Sequence, residues 1–127
     1  MQTEDLERSL AGGSAFDAHY GLEMTACDDG GARGRVEVGA QLLQPTGVVH
    51  GGVYASVAEA LASSGTNWAV TPNDEVGLGM SNNTSFLRPV SGGVLEAVAI
   101  RSTAAARPGS GTCGSPTSRG GPAPSAG

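Results

Sequence analysis

The chain has no long apolar run, no cluster of basic residues and very little cysteine. No stretch approaches the roughly 18 consecutive apolar residues of a membrane-spanning helix, so no membrane partner is expected. Twelve acidic residues stand against seven basic ones, for a net charge of −5. The arginines are scattered, so no basic footprint for nucleic acid or anionic lipid forms. The two cysteines, Cys27 and Cys113, have neither metal nor redox spacing. No metal site is expected, and a reducing, cytoplasmic location is the simplest reading. The N-terminal MQTEDLERSL is acidic and lacks the apolar core of a secretory signal. A chain of 127 residues is by default one domain.

What is present is organised in short blocks. Thr3 can cap a helix running to Leu10, with Glu4 and Asp5 in its first turn, where the helix dipole favours anions. Leu22, Met24 and Ala26 alternate with Glu23 and Thr25, which is strand periodicity. Asp28 to Gly31 reads as a turn, and Arg33, Arg35 and Glu37 alternate with Gly34, Val36 and Val38. Two alternating runs around a glycine turn predict a β-hairpin. A loop from Gln41 to Gly47 leads into a helix. There Val53, Val57, Leu61, Ser64 and Trp68 form one apolar stripe, with Trp68 expected in the core. Ala55, Ala58, Ala62 and Gly65 are small enough for that helix to lie close to a sheet. TPND at residues 71–74 ends it. Further strands are predicted over Val76–Met80 with Thr84–Leu87, and over Val94–Ile100. From Arg101 onward no Val, Ile, Leu, Phe, Tyr or Trp occurs. Such a segment cannot bury enough apolar surface to offset its ordering entropy, and disorder is expected over residues 100–127.

The chemistry concentrates in QPTGVVHGGVYASVAE, residues 44–59. His50, Gly51 and Gly52 open the helix, where the first N–H groups lack intrahelical partners and the dipole favours negative charge. An acyl carbonyl seated there would have its developing oxyanion stabilised. The alternative is that the two glycines merely permit close helix–sheet contact. Glu59 is the one charged residue between His50 and Trp68, and it shares a face with Ser56, Ser63 and Thr66. It can serve as general base or nucleophile, or be a solvated surface carboxylate. Its poor company in charge favours the functional role. Gln44 can hold water or a carbonyl, or be an ordinary loop residue. His50 can donate toward the carbonyl or fix the loop. Asn82 and Asn83 can bond the loop or mark a bulge. Nine helical steps, about 13 Å at roughly 1.5 Å each, separate His50 from Glu59. Acting on one carbonyl, the two must come from different chains, which predicts a two-fold dimer with neighbouring antiparallel helices.

The segment from about Gly21 to Ala99 resembles the hotdog-fold acyl-CoA thioesterases, in the branch that includes the phenylacetate-pathway, menaquinone- and enterobactin-associated enzymes. QPTGVVHGG, the position of Glu59, and GLGMSNNTSFLRPVSGGVLEAVA carry the resemblance. It implies an α+β hotdog fold, an antiparallel sheet wrapped around one long central helix, assembled as a homodimer or a dimer of dimers. It implies hydrolysis of an acyl-CoA thioester to free acid and CoA, with no metal or redox cofactor. Glu59 then looks like the catalytic carboxylate of one subunit and the Gly51 amide like the oxyanion donor of the other. His50 and Gln44 look like the pair that positions thioester and water. Ser63 matches a position that supports the carboxylate, and Gly52, Asn82 and Asn83 fall among the substrate-binding positions.

The resemblance also implies a His-Arg-Gly-Arg-like turn and two more strands after Ala99, and this chain lacks both. The hotdog domain over residues 1–99 is therefore expected to be incomplete. The tail over 100–127 is expected to be out of frame. With GC-rich codons, AIRSTAAARPGSGTCGSPTS read in another frame permits DPVHRGRTPGQRHLWVADI, which has the required turn and strand. Without its neighbours the strand at Val76–Leu87 should be left unpaired and the chain poorly stable. Two other functional readings remain open. One is a hotdog acyl-thioester hydratase or dehydratase. The other is a non-catalytic acyl-CoA binder or an inactive pseudogene product.

Overall fold

In a computed structural model, residues 13–102 and the backbone of residues 121–122 are described. The expected helix from Thr3 to Leu10 and most of the expected disordered tail lie outside the described residues. A short helix α1 (Ala15–Tyr20) leads into β1 (Leu22–Asp28) and β2 (Gly31–Glu37). A long helix α2 (Gly51–Val70) follows, then β3 (Val94–Ile100) and the two-residue β4 (Gly121–Pro122). The sheet is antiparallel throughout, in the order β1-β2-β3-β4, and α2 packs across β1, β2 and β3.

Helix α1 was not foreseen, although its punctuation is in the sequence. The Ser14 hydroxyl accepts from the N–H groups of Phe16 and Asp17, Asp17 places an acid in the first turn, and Gly21 closes the C-terminus in the left-handed conformation. The hairpin forms as expected, with a refinement. A bulge between Met24 and Ala26 shifts the register, so Ala26 lies opposite exposed Arg33 and Cys27 opposite buried Ala32. Cys27, not Ala26, therefore faces the helix, and its thiol donates to the Ser64 carbonyl at 3.5 Å. Burial, with Asp28 beside it, raises the Cys27 pKa. At the hairpin turn Gly31 adopts φ +143°, and a Cβ there would overlap the Ala99 carbonyl of β3. Only glycine lets the two strands close at this point.

The core is the seam between α2 and the sheet. Val53, Val57 and Leu61 from the helix meet Ala32 and Val36 of β2 and Leu95 of β3, with Tyr20, Leu42 and Val49 at the ends. Leu61 is 1% exposed. A Cβ at Gly34 would come within 3.0 Å of both Leu61 Cδ2 and Leu22 Cδ1, so the glycine in β2 is the socket for the leucine. The other sheet face is mixed, with Arg33, Arg35 and Glu37 of β2 beside Val94, Val98 and Ile100 of β3, and Arg35 pairs there with Glu23 at 3.5 Å. Both groups are largely exposed, so this pair adds little stability.

Two core expectations are corrected. Trp68 is 53% exposed. A Cβ at Gly65 would already lie 3.4 to 3.6 Å from the backbone of Gly31 and Ala32, where the sheet ends. Trp68 sits nearly a turn further along the helix, past the β1–β2 turn. Asn67 takes the buried place instead, its Oδ1 accepting from the Gly77 N–H at 2.8 Å. The second correction concerns Val76–Leu87, which forms no strand. Among the described residues its backbone has no ladder partner, and a strand is defined by that partner. It lies instead as a strap along α2. Gly77 meets Asn67, a Cβ at Gly79 would overlap Glu59, the Asn82 amide donates to the Ala55 carbonyl at 2.8 Å, and Phe86 covers Gly51. These contacts step down one side of the helix from C-terminus to N-terminus. The glycines face the helix while Leu78, Met80 and Leu87 are more than four-fifths exposed, at 83%, 86% and 87%. Within the tail expected to be disordered, β4 pairs with Leu95 and Glu96 on the outer edge of β3. Proline is compatible with an edge, where its missing N–H breaks no central ladder.

Leu61→Ala should therefore lower unfolding free energy by about 3 kcal/mol, within the range of roughly 2–5 kcal/mol for a buried leucine. Leu87→Ser should leave it within about 0.5 kcal/mol, as for other exposed positions. Urea denaturation of the two variants beside the parent chain checks both, and equal losses would contradict this placement of the core.

Candidate active site

The loop before α2 is built from the backbone. Pro45 and Thr46 form the corner of a turn closed by the Gly47 N–H donating to the Gln44 carbonyl at 2.9 Å. Gly47 takes φ +84° there. The Gln44 N–H returns to the Val48 carbonyl at 2.8 Å, and Leu43 and Val49 form a bridge across the loop. Val49 donates to the Val90 carbonyl at 2.7 Å and His50 to the Leu42 carbonyl at 2.8 Å. The approach to the helix is thus pinned on two sides, and the half-buried Gln44 sits within it.

His50 is the N-cap of α2. Its Nδ1 accepts the Gly52 N–H at 2.9 Å, and its carbonyl accepts the Val53 N–H at 2.9 Å. A ring whose Nδ1 lone pair is engaged carries its proton, when neutral, on Nε2, which is left as a donor. Of the first three helical amides, those of Gly52 and Val53 are therefore satisfied. The Gly51 N–H has no partner among the described residues. It stands at the positive end of a 20-residue helix, where an accepting oxygen is favoured. The Phe86 ring lies over Gly51, and a Cβ at that glycine would approach Phe86 Cζ to 2.8 Å. Phe86 also packs on Tyr54, with ring centroids 5.9 Å apart. The Tyr54 hydroxyl is buried without a partner among the described residues, and burial raises its pKa.

Glu59 lies further along the same helix and is half-buried. The Ser63 hydroxyl, one turn on, donates to Glu59 Oε1 at 3.1 Å. The carboxylate borders an open groove of about 460 Å³ lined by Ser14, Phe16, Asp17, Ala55, Ala60 and Ser63, among others. Helix α1 forms the opposite bank. The walls are mainly apolar, so the groove can take a hydrocarbon or aromatic group with a carboxylate at its side. Neither His50 nor Gly51 lines it.

The candidate residues thus fall into two sets. His50, Gly51 and Gly52 form one cluster at the helix start, with Gln44 in the loop that leads to it, and Glu59 with Ser63 forms a second on the helix flank. The straight helix holds the two apart within one chain. Asn82 is engaged in structure, donating to Ala55 and accepting from the Thr84 hydroxyl at 2.6 Å. Asn83 is exposed and joins neither cluster. Sequence reasoning missed Phe16 and Asp17 on the groove wall, and Gly79 against Glu59. The first pair was signalled by the Ser14 cap and Gly21. Nothing in the sequence marks Gly79 apart from the chain's many other glycines.

Known proteins resemble this chain in sequence and fold. The thioesterase superfamily matches residues 46–103. Rv1847 of Mycobacterium tuberculosis, whose esterase name is provisional, is 41% identical over 86 residues, 66% of this chain and 61% of that protein. Its solved structure superposes with a TM-score of 0.62 and is covered over 70% of its chain by 68% of this one. The proofreading thioesterase EntH of Klebsiella pneumoniae is 36% identical over 76 residues, 60% of this chain and 55% of that one. AziG of S. sahachiroi is 31% identical with a TM-score of 0.65, the match covering 73% of this chain and 75% of AziG. The chain spans about 61% of the length of the curated mycobacterial relative. With a helix laid on an antiparallel sheet, a His-Gly-Gly helix start and this similarity to Rv1847 and AziG, the chain belongs to the thioesterase superfamily and has its hotdog fold.

Proposed function

We propose that this chain hydrolyses an acyl-CoA thioester to the free acid and CoA, in the cytoplasm and without a metal or redox cofactor. The observation that carries the proposal is the Gly51 N–H, without a partner among the described residues at the start of α2, together with a half-buried Glu59 braced by Ser63. The thioester carbonyl oxygen accepts from the Gly51 N–H, and the His50 Nε2–H and the Gln44 amide fix its approach. Glu59 takes a proton from water, and the resulting hydroxide adds to the carbonyl carbon. The oxyanion formed is held by Gly51 until the C–S bond breaks, when CoA leaves as the thiolate and takes up the proton held by Glu59, restoring the carboxylate. Direct attack by the carboxylate, giving a mixed anhydride that water then opens, uses the same groups. The EntH relative is itself named a thioesterase, and a Listeria monocytogenes relative, 34% identical over 79 residues, is named a 1,4-dihydroxy-2-naphthoyl-CoA hydrolase. The acyl group fits the apolar groove beside Glu59.

The nine-step separation on one helix requires that the two clusters of a site come from two chains. The assembly is a homodimer, or a dimer of dimers, with neighbouring α2 helices antiparallel. The exposed Leu78, Met80 and Leu87 favour a second reading, in which this chain binds acyl-CoA without turnover or is an inactive product. Hydration or dehydration of the acyl group has no such observation in its favour.

Glu59→Gln should reduce kcat/KM by about 100- to 10,000-fold against benzoyl-CoA and hexanoyl-CoA, read as released thiol. Parent-level turnover in this variant would refute the assignment, and parent binding without thiol release would support the binder reading.

Subunit complementation tests the two-chain site. Gly51→Pro removes the donor N–H, and the first helical position tolerates proline. His50, at φ −61° and ψ 135°, already has the backbone a pre-proline residue needs. Phe86→Ala makes room for the ring. Glu59→Gln chains and Gly51→Pro/Phe86→Ala chains should each be nearly inactive. Co-expressed with separate tags, they should yield mixed dimers with one intact site apiece and recovered turnover. Absence of recovery in purified mixed dimers would place each site within one chain.

A further inference from the structure

We propose that Gly79 is a positioning residue for Glu59, its missing side chain forming the slot in which the carboxylate is held. This inference rests on the reading of Glu59 as the catalytic carboxylate and adds a residue that acts only through it. A Cβ built at Gly79 would overlap Glu59 Oε1 and approach the carboxyl carbon to 2.8 Å and Oε2 to 3.0 Å. All three of its nearest neighbours belong to that one carboxylate. The Ser63 hydroxyl holds Oε1 at 3.1 Å, while the strap backbone at Gly79 closes over the same group. The glycine has no conformational role: the positive-φ glycines of the described chain are Gly13, Gly21, Gly31, Gly47 and Gly93. Gly79 keeps a backbone that alanine can adopt.

The physics then separates fold from chemistry. An added methyl at residue 79 meets the far end of a flexible side chain, which swings away more readily than backbone moves. The fold survives and the carboxylate leaves Ser63. Displacement of a catalytic group by about 1 Å is enough to lose roughly 100-fold in rate. The strap at Gly79 thus sets where Glu59 points, while the substrate contacts at the helix start are left in place.

The test is Gly79→Ala, made in the parent chain and in Glu59→Gln. Expected are a kcat about 100-fold lower, a far smaller change in KM, a kept thermal midpoint, and no further loss of kcat when the change is added to Glu59→Gln. A kcat at the parent level, or the same added loss in both backgrounds, overturns the proposal. A crystal structure of Gly79→Ala decides the geometry independently of turnover. The Glu59 carboxylate off Ser63 supports the slot, and the carboxylate still bonded to Ser63 sinks it. Should Glu59→Gln prove fully active, the assignment of Glu59 fails, while the crystal structure still judges the slot.

Discussion

Everything else in this fold depends on how closely α2 lies against β2. Leu61 enters a socket that exists because position 34 has no side chain, and the Cβ position at Gly65 lies in ordinary contact with the backbone of the sheet's end. Contact at that distance gives the seam the dense packing on which its stability rests. It also fixes the rotation of the helix. With Val53, Val57 and Leu61 turned to the sheet, the side bearing Gly51, Ala55, Glu59 and Ser63 faces away from it. A helix rotated by a third of a turn would bury Glu59 against the core and leave the valines in water. The hydrophobic seam therefore orients the carboxylate, although it makes no contact with it.

The same rigidity governs the functional proposal. An α-helix is a ruler with about 1.5 Å per residue. It carries an anion-favouring terminus at one mark and a carboxylate nine marks along, and no side-chain rotation brings the two together. His50 strengthens the terminus in an indirect way. By capping Gly52, its imidazole leaves Gly51 as the amide without a partner among the described residues, with its own Nε2 not engaged in the cap. Among the described residues, the difference between these two neighbouring glycines thus follows from a single hydrogen bond.

Much of this was legible in the sequence because it rests on periodicity and punctuation. The hairpin was readable from Arg33, Arg35 and Glu37 alternating with small and apolar residues, and the long helix from Val53, Val57 and Leu61. The pairing of Ser63 with Glu59 follows from a spacing of one turn. What failed has physical reasons. The bulge beside Thr25 has no composition signal, so Ala26 was read where Cys27 belongs. Trp68 keeps the helical period of Leu61, but period says nothing about where the sheet stops. Val76 to Met80 alternates as a strand does; among the described residues the segment is unpaired, as expected with its neighbours missing, and without a ladder it forms no strand.

That last segment joins the fold to the site. Its alternation survives over residues 76–80, with Gly77 and Gly79 toward the helix and Val76, Leu78 and Met80 outward, and the phase changes before Asn82, which reaches the helix. It is attached by side chains where a strand would be attached by a ladder: Asn67 pairs with Gly77, and Asn82 reaches the Ala55 carbonyl. Solvent-exposed segments with few backbone hydrogen bonds open at the low end of a protein's range of local stabilities. Glu59 is consequently held between two supports of unequal strength. Ser63 belongs to the same rigid helix and moves with it, whereas Gly79 belongs to the strap. The position of the carboxylate is then only as well defined as the strap's attachment at Asn67 and Asn82. Those two amides, which tie the strap to the helix, thereby share with Ser63 the control of where the carboxylate lies.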